Sequence, residues 1–265
     1  MVKVIVLRTA GTNCDKETAF AFETAGAHPE LVHVNELGRR EKDLSAYQIL
    51  AIPGGFTYGD DIASGKILAN ELKFKLEEGL QRFIRDGKLI IGICNGFQIL
   101  VKAGLLPNLS GDFQTIEATL TLNDSDKFED RWVCLKKVSS AGKKKRCVWT
   151  EGIDKILELP VAHGEGKFIP KDKSVLKRLK EEGLIVFEYV DENGRRAGYP
   201  NCPNGSVENI AGICDPSGRI FGLMPHPERH ISRYQHPCWT RGGSKEPVNG
   251  LAIFKNGVHF AKKYL

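Results

Sequence analysis

Two stretches hold residue types able to carry out nucleophilic catalysis together. In Gly92-Ile93-Cys94-Asn95-Gly96 a cysteine stands between two glycines at the end of the run Lys88-Leu89-Ile90-Ile91. This G-x-nucleophile-x-G form predicts a strand that ends, a sharp turn, and a helix that begins. The glycines tolerate the turn and let a substrate approach the backbone. Phe97, Ile99, Leu100 and Val101 open that helix, and Gly104 is placed to end it. A thiol at such a helix N-terminus meets partial positive charge, which favours thiolate. Cys94 read alone is equally compatible with a buried structural cysteine.

A cysteine nucleophile needs a base, a group that orients the base, and donors for the oxyanion. "FGLMPHPERH" offers the first two after an apolar strand. Pro227 biases His226 toward an extended conformation, so that His226 and Glu228, two residues apart, point to one side. The rival is a plain turn after a strand. His33, His236 and His259 have no acid two residues on, and His28, which has Glu30, does not follow an expected strand end. Oxyanion donors are expected from Gly54 and Gly55 in "ILAIPGGFTYGDD" and from the Asn95 N–H next to the nucleophile. A phosphate-binding loop fails there, because Gly65-Lys66 is followed by Ile67 and Asp60 stands five residues before Gly65. In "LPVAHGEGKF", His163, Gly164, Glu165 and Gly166 form a polar, turn-prone stretch. It suits either backbone binding of a small polar ligand or a simple β-turn with a surface histidine.

The elements that must position these groups alternate strand and helix through the first hundred residues. Strands are expected at 2–7, 31–34 and 49–52, and a helix at 15–25 that stops at Gly26. Leu68, Leu72, Leu76, Leu80 and Ile84 predict one long helix closed by Gly87. Such alternation implies an α/β fold with a mostly parallel sheet flanked by helices, whose ligands bind at the carboxyl ends of the strands. After about residue 112 the pattern becomes antiparallel. Strands with hairpin connections are expected at 118–122, 131–138 and 146–150, and 210–214 and 220–224 flank the turn Asp215-Pro216-Ser217-Gly218. A last helix is expected at 251–263. With no internal repeat or low-complexity linker, residues 1–265 read as one domain.

Composition narrows the function classes. The chain of 265 residues is 41% hydrophobic and 27% charged, enough for a substantial core. No apolar run approaches the roughly 20 residues of a membrane span, and the N-terminus reads as a first strand rather than a signal peptide. Seven cysteines, an odd number without a C-x-x-C pair, point away from a disulfide framework or zinc ribbon and toward a cytoplasmic protein. His226, His230, His236 and Cys238 match no metal-ligand spacing, so no metal is expected. The net charge of +5 is spread along the chain, and no nucleic-acid partner is expected. The basic run Lys143-Lys144-Lys145-Arg146 reads as a solvated hairpin tip.

"PGGF", "GICNGFQIL", "PVAHGEGKF" and "MPHPER", in that order, resemble the triad-type (class I) glutamine amidotransferases. "GTNCD" at 11–15 and "YPNCPNGSVENIAGICD" at 199–215 are similar, more narrowly, to the glutaminase subunits of phosphoribosylformylglycinamidine synthase. The resemblance implies a flavodoxin-like sheet and L-glutamine as substrate. Cys94 would be the nucleophile, His226 the general acid and base, and Glu228 the residue that orients it. Gly55 and Asn95 would hold the oxyanion, and Gly54, Phe56, Gln98, His163, Gly164 and Glu165 would bind substrate. It further implies delivery of ammonia to a synthetase subunit of that enzyme, with a small accessory subunit. No cofactor is expected in this chain, since ATP and magnesium would sit on the synthetase partner. The chain departs from the commonest family form after "GGFTYGD", where "DIASGKILAN" lacks the usual arginine, and 123–155 and 231–250 look longer than in compact members. Arg233, Tyr234, Trp239 and Arg241 are candidate docking residues, against the alternative that they pack over the domain's own edge. The residues themselves reach only a cysteine amide hydrolase or acyl transferase. A stand-alone cysteine hydrolase or peptidase on a similar sheet is the alternative.

Overall fold

The apolar runs of the first half form strands buried on both faces, and the computed structural model describes them within residues 1–138, 147–241 and 249–265. In chain order the elements are β1 (Lys3–Arg8), α1 (Asp15–Thr24), β2 (His28–His33), α2 (Val34–Gly38), β3 (Ile49–Ile52), α3 (Lys66–Phe74) and α4 (Glu77–Arg85). Next come β4 (Leu89–Ile93), α5 (Asn95–Lys102), β5 (Ala118–Thr121), β6 (Glu129–Lys137), β7 (Leu157–His163), β8 (Lys167–Pro170) and α6 (Lys173–Glu181). The chain closes with β9 (Ile185–Val190), β10 (Ile210–Cys214), β11 (Ile220–Leu223) and α7 (Asn249–Tyr264).

Among the described residues a nine-stranded sheet runs in the order β2-β1-β3-β4-β11-β10-β9-β6-β7. The pairings from β2 to β11 are parallel, and those from β11 to β7 are antiparallel. The parallel half has the 2-1-3-4-5 order of flavodoxin-like sheets, with β11 as its fifth strand. β3, β4 and β11 are buried at every residue, as expected for strands covered on both faces.

Several sequence expectations are corrected. The single long helix at 68–84 is two helices, α3 and α4, with Leu76 non-helical (φ −117°) between them. Leucines four apart drift about 40° per step around a helix of 3.6 residues per turn, so one straight rod cannot keep all five on one face. The break re-phases them. Val34 opens α2 rather than ending β2. β5 pairs with β8 in a separate two-stranded sheet instead of joining β6 by a hairpin. Val148–Thr150 is a turn of 3₁₀ helix, not a strand: Trp149 is fully buried, donates its indole N–H to the Arg219 carbonyl at 2.9 Å and lies against Gly257. Arg146 and the basic run 143–146 lie outside the described residues.

The two glycines around Cys94 have a steric cause. A methyl group at Gly96 would stand 1.8 Å from the Ile52 carbonyl oxygen, and one at Gly92 would stand 2.5 Å from the Gly96 carbonyl. Only glycine lets α5 seat on the ends of β3 and β4 so closely. Gly96→Ala is therefore expected to destabilise the protein by about 3 kcal/mol. Equilibrium denaturant unfolding would check this, and an unchanged midpoint would show that the elbow tolerates a Cβ.

Candidate active site

Chain segments leaving the carboxyl ends of β1, β3, β4 and β11 converge at one place. Cys94 stands between β4 and α5 with φ 51° and ψ −108°, a conformation rarely adopted by a side-chain-bearing residue. Its N–H is bonded to the Leu223 carbonyl at 2.8 Å, its carbonyl accepts from Gln98 N–H at 3.1 Å, and its Sγ lies 3.6 Å from the Ala162 carbonyl oxygen. Backbone bonds on both sides thus hold the strained residue and aim its thiol.

His226 follows β11 in extended conformation and is buried. Its Nδ1 lies 2.6 Å from Glu228 Oε1, also buried. The carboxylate reaches the ring differently from the sequence expectation. Pro227–Arg229 is a 3₁₀ turn, so Glu228 folds back onto His226 instead of following strand alternation. His226 Nε2 forms no hydrogen bond of regular length and angle among the described residues, and the thiols of Cys94 and Cys14 are its other polar neighbours. Burial disfavours the imidazolium, but the Glu228 carboxylate, the Cys94 sulfur and the Cys14 thiol outweigh it and hold the His226 pKa well above its ordinary value.

Gly54 and Gly55 follow β3. A methyl group at Gly54 would come within 2.7 Å of His226 Cε1, 3.1 Å of Cys14 Sγ and 3.4 Å of Cys94 Cβ, so glycine makes room for all three. Gly55 has φ +143° and bridges Thr12. Beside it Cys14 N–H donates to the Gly54 carbonyl (3.2 Å) and Phe56 N–H to the Gly11 carbonyl (2.9 Å), and neither bond uses the Gly55 N–H. The Asn95 N–H lies in the first turn of α5, where N–H groups have no intrahelical partner. Phe56 is 44% exposed and faces Phe128, ring centroids 6.1 Å apart.

His163, Gly164 and Glu165 lie at the end of β7 and just beyond, tied to the elbow by side chains already in use. Gln98 donates to the Glu165 carbonyl at 2.5 Å and accepts from Asn95 Nδ2 at 3.0 Å, which makes it a strut between α5 and this loop. The Glu165 carboxylate lies 3.3 Å from Ser64 N–H and 3.5 Å from Lys102 Nζ. His163 is buried. Burial, reinforced by the neighbouring charge of His226, pushes its pKa down to about 3, so it stays neutral at working pH.

Sequence reasoning missed the residues that hold this frame. Asn123 donates to the carbonyls of His163 (2.8 Å) and Lys127 (2.9 Å), accepts from Gly166 N–H at 2.9 Å and meets His163 Nδ1 at 3.1 Å. Its partners at the site, His163 and Gly166, are 40 and 43 residues distant, so no local pattern announces it. Arg229 donates to Glu17 at 2.8 Å and to Cys14 Sγ at 3.1 Å. One donor atom from each of Cys14, Glu17, His226 and Glu228 lies within 4.8 Å of the others, and the Arg229 guanidinium supplies positive charge beside them. The histidine-rich set weighed from sequence is not gathered. His226 turns inward, while His230 and His236 pack edge-on against Trp132 at 5.0 and 4.6 Å, and Cys238 is exposed. Tyr234 and Trp239 are exposed and meet edge-to-face at 5.5 Å, with the Arg233 guanidinium 5.1 Å from the Tyr234 ring centre.

A model of the CobB/CobQ-like glutamine amidotransferase domain matches residues 1–261. The chain belongs to this family. It is 51% identical over 263 residues to the phosphoribosylformylglycinamidine synthase subunit PurQ of Dehalococcoides mccartyi, covering 99% of this chain and 98% of the relative. The PurQ subunit of Methanococcus maripaludis is 44% identical over 273 residues, with 98% of each chain covered. A solved structure of PurLQS from Thermotoga maritima superposes with a TM-score of 0.71 at 29% identity, covering 98% of both chains. Like other family members, the chain is a glutamine amidotransferase. Among the described residues no helix is long and apolar enough to cross a membrane.

Proposed function

We propose that this chain is the glutamine-hydrolysing subunit of phosphoribosylformylglycinamidine synthase, acting in purine synthesis in the cytoplasm. The observation that carries the reading is the buried pair of His226 and Glu228 beside Cys94 on its strained elbow, in a chain 51% identical over its length to a PurQ subunit.

In the proposed reaction the Cys94 thiolate attacks the side-chain amide carbon of glutamine, and the carbonyl π electrons move to oxygen. The N–H groups of Gly55 and Asn95 stabilise that oxyanion. The His226 imidazolium gives its proton to the departing nitrogen, the C–N bond breaks, and ammonia leaves a glutamyl thioester. His226 then takes a proton from water, the hydroxide attacks the thioester, and glutamate departs as the C–S bond breaks. Glu228 accepts from Nδ1–H and fixes the tautomer that presents Nε2 to the reacting atoms. Gly54, Phe56 and the backbone of His163 to Glu165 bind the substrate's α-amino and α-carboxylate groups. Gln98, assigned to the same task from sequence, shapes that site by holding the Glu165 carbonyl.

The ammonia is consumed by an ATP-dependent synthetase subunit, which carries the magnesium and nucleotide, with a small accessory subunit in the assembly. Arg233, Tyr234, Trp239 and Arg241 are the proposed docking residues on this chain. The decisive experiment is to purify the chain with its synthetase and accessory subunits and measure glutamine-dependent amidine formation. A stand-alone hydrolase is separated by the same preparation. Glutaminase turnover is expected to rise at least tenfold on adding the synthetase and its substrates, because one mis-aimed oxyanion donor costs about a hundred- to a thousand-fold. Gly55, at φ +143°, is the residue where a peptide rotation re-aims such a donor most easily. Full turnover by the isolated chain, unaffected by any synthetase, would favour the stand-alone hydrolase.

A further inference from the structure

Cys14 is buried at the N-terminus of α1, on a loop that contributes none of the groups in the proposed reaction, yet it touches two of the segments that do. Its backbone N–H bonds the Gly54 carbonyl at 3.2 Å, one residue before the proposed oxyanion donor Gly55. Its sulfur and the His226 ring edge approach the same point beside Gly54, at 3.1 and 2.7 Å. The thiol is held from behind by Arg229 Nη2 at 3.1 Å and from the side by Asn13 Oδ1 at 3.3 Å. Arg229, in turn, is the next residue after Glu228 and is anchored to Glu17 on α1.

We infer that Cys14 is a positioning residue for glutamine hydrolysis, which locks the oxyanion loop at Gly54 and the base His226 into one register. The inference rests on the function proposed above. Two features make the sulfur suitable. It is large enough to meet both Arg229 and the ring, where a serine oxygen on a shorter bond would fall back from them. It is also chemically quiet: burial pushes its pKa up to about 11, against the opposing pull of His226, so it stays a neutral thiol and does not compete with Cys94. The titratable and charged groups facing His226 are Glu228 on its own turn, Cys94 on the elbow, Cys14 on the α1 loop and His163 at the end of β7, with Arg229 and Glu17 behind Cys14. Cys14 contributes to the raised pKa of His226, so its removal should lower that pKa.

The test uses the chain assembled with its synthetase, comparing Cys14→Ala, Cys14→Ser and Arg229→Gln with wild type and with Cys94→Ala. Glutamine-dependent and ammonia-dependent amidine formation are measured across pH. Cys14→Ala is expected to lower the glutamine-dependent kcat about tenfold or more, since displacing a catalytic group by an ångström costs up to about a hundredfold. KM should stay within about threefold, the alkaline limb should move to lower pH, and the ammonia-dependent rate should be unchanged. Arg229→Gln, which leaves the α1 cap intact, should reproduce the kcat loss, and Cys14→Ser should recover part of it. An unchanged kcat and pH limb in Cys14→Ala would overturn the inference. Equal loss of both amidine-forming rates would also overturn it, by making Cys14 a folding residue only. Glutaminase activity retained in Cys94→Ala would instead overturn the underlying reaction.

Discussion

Cys94→Ala is expected to abolish glutamine hydrolysis, with a loss of about a million-fold, the size seen when a nucleophile is removed from an intact hydrolytic site. The loss should be chemical. Alanine and cysteine both carry a Cβ, so the substitution adds no new clash at φ 51°, and the Leu223 and Gln98 backbone bonds that hold the elbow do not involve the side chain. Glutamine should still bind, and ammonia-dependent amidine formation by the complex should survive. A glutamine-like electrophile should label wild type at one thiol, located by mass spectrometry of the peptide containing Cys94. Cys14, Cys202 and Cys214 are all buried with raised pKa values, so they should label slowly. Residual hydrolysis in the alanine variant, or first labelling at another cysteine, would move the nucleophile elsewhere.

The residues gathered in the candidate site were legible in the sequence because their causes are local. Gly92 and Gly96 flank Cys94 since any side chain there would meet backbone within a few residues or on the next strand. Pro227 keeps His226 extended, and a two-residue spacing brings Glu228 to the ring whether the chain alternates or, as here, turns. The alternation of apolar strand and amphipathic helix also announced the parallel half of the sheet. What failed depends on partners distant in the chain. Nothing near Ala118–Thr121 says that it pairs with Lys167–Pro170 rather than with the next strand. Nothing near Trp149 says that its indole will reach Arg219 and convert an expected strand into a turn. Asn123 and Arg229 support the site through bonds spanning 40 and 212 residues. A sequence read in windows shows which residues can react; it does not show which ones hold them still.

His226 and Glu228 should separate cleanly on substitution. In the proposed reaction His226 moves a proton in both halves, so His226→Ala should approach the loss expected for Cys94→Ala. Glu228→Gln keeps the size of the side chain and removes its charge. Its amide can turn an N–H toward Nδ1 and stabilise the wrong tautomer, so a loss of about a hundred- to ten-thousand-fold is expected, less than for His226. The pH dependence gives an independent readout. In the proposed reaction ammonia departure needs a proton on His226, and the Glu228 carboxylate helps to hold that proton by raising the imidazole pKa well above its ordinary value. In wild type the imidazolium is therefore lost at a higher pH than that of an ordinary imidazole. Without the carboxylate the pKa falls, and the alkaline limb of kcat should begin at lower pH. His163 adds no limb of its own there, because its pKa of about 3 keeps it neutral throughout. Steady-state glutaminase assays of the synthetase complex across pH would record both effects. A Glu228→Gln variant with an unshifted limb would show that another group holds the proton, and a His226→Ala variant as active as wild type would remove this histidine from the reaction.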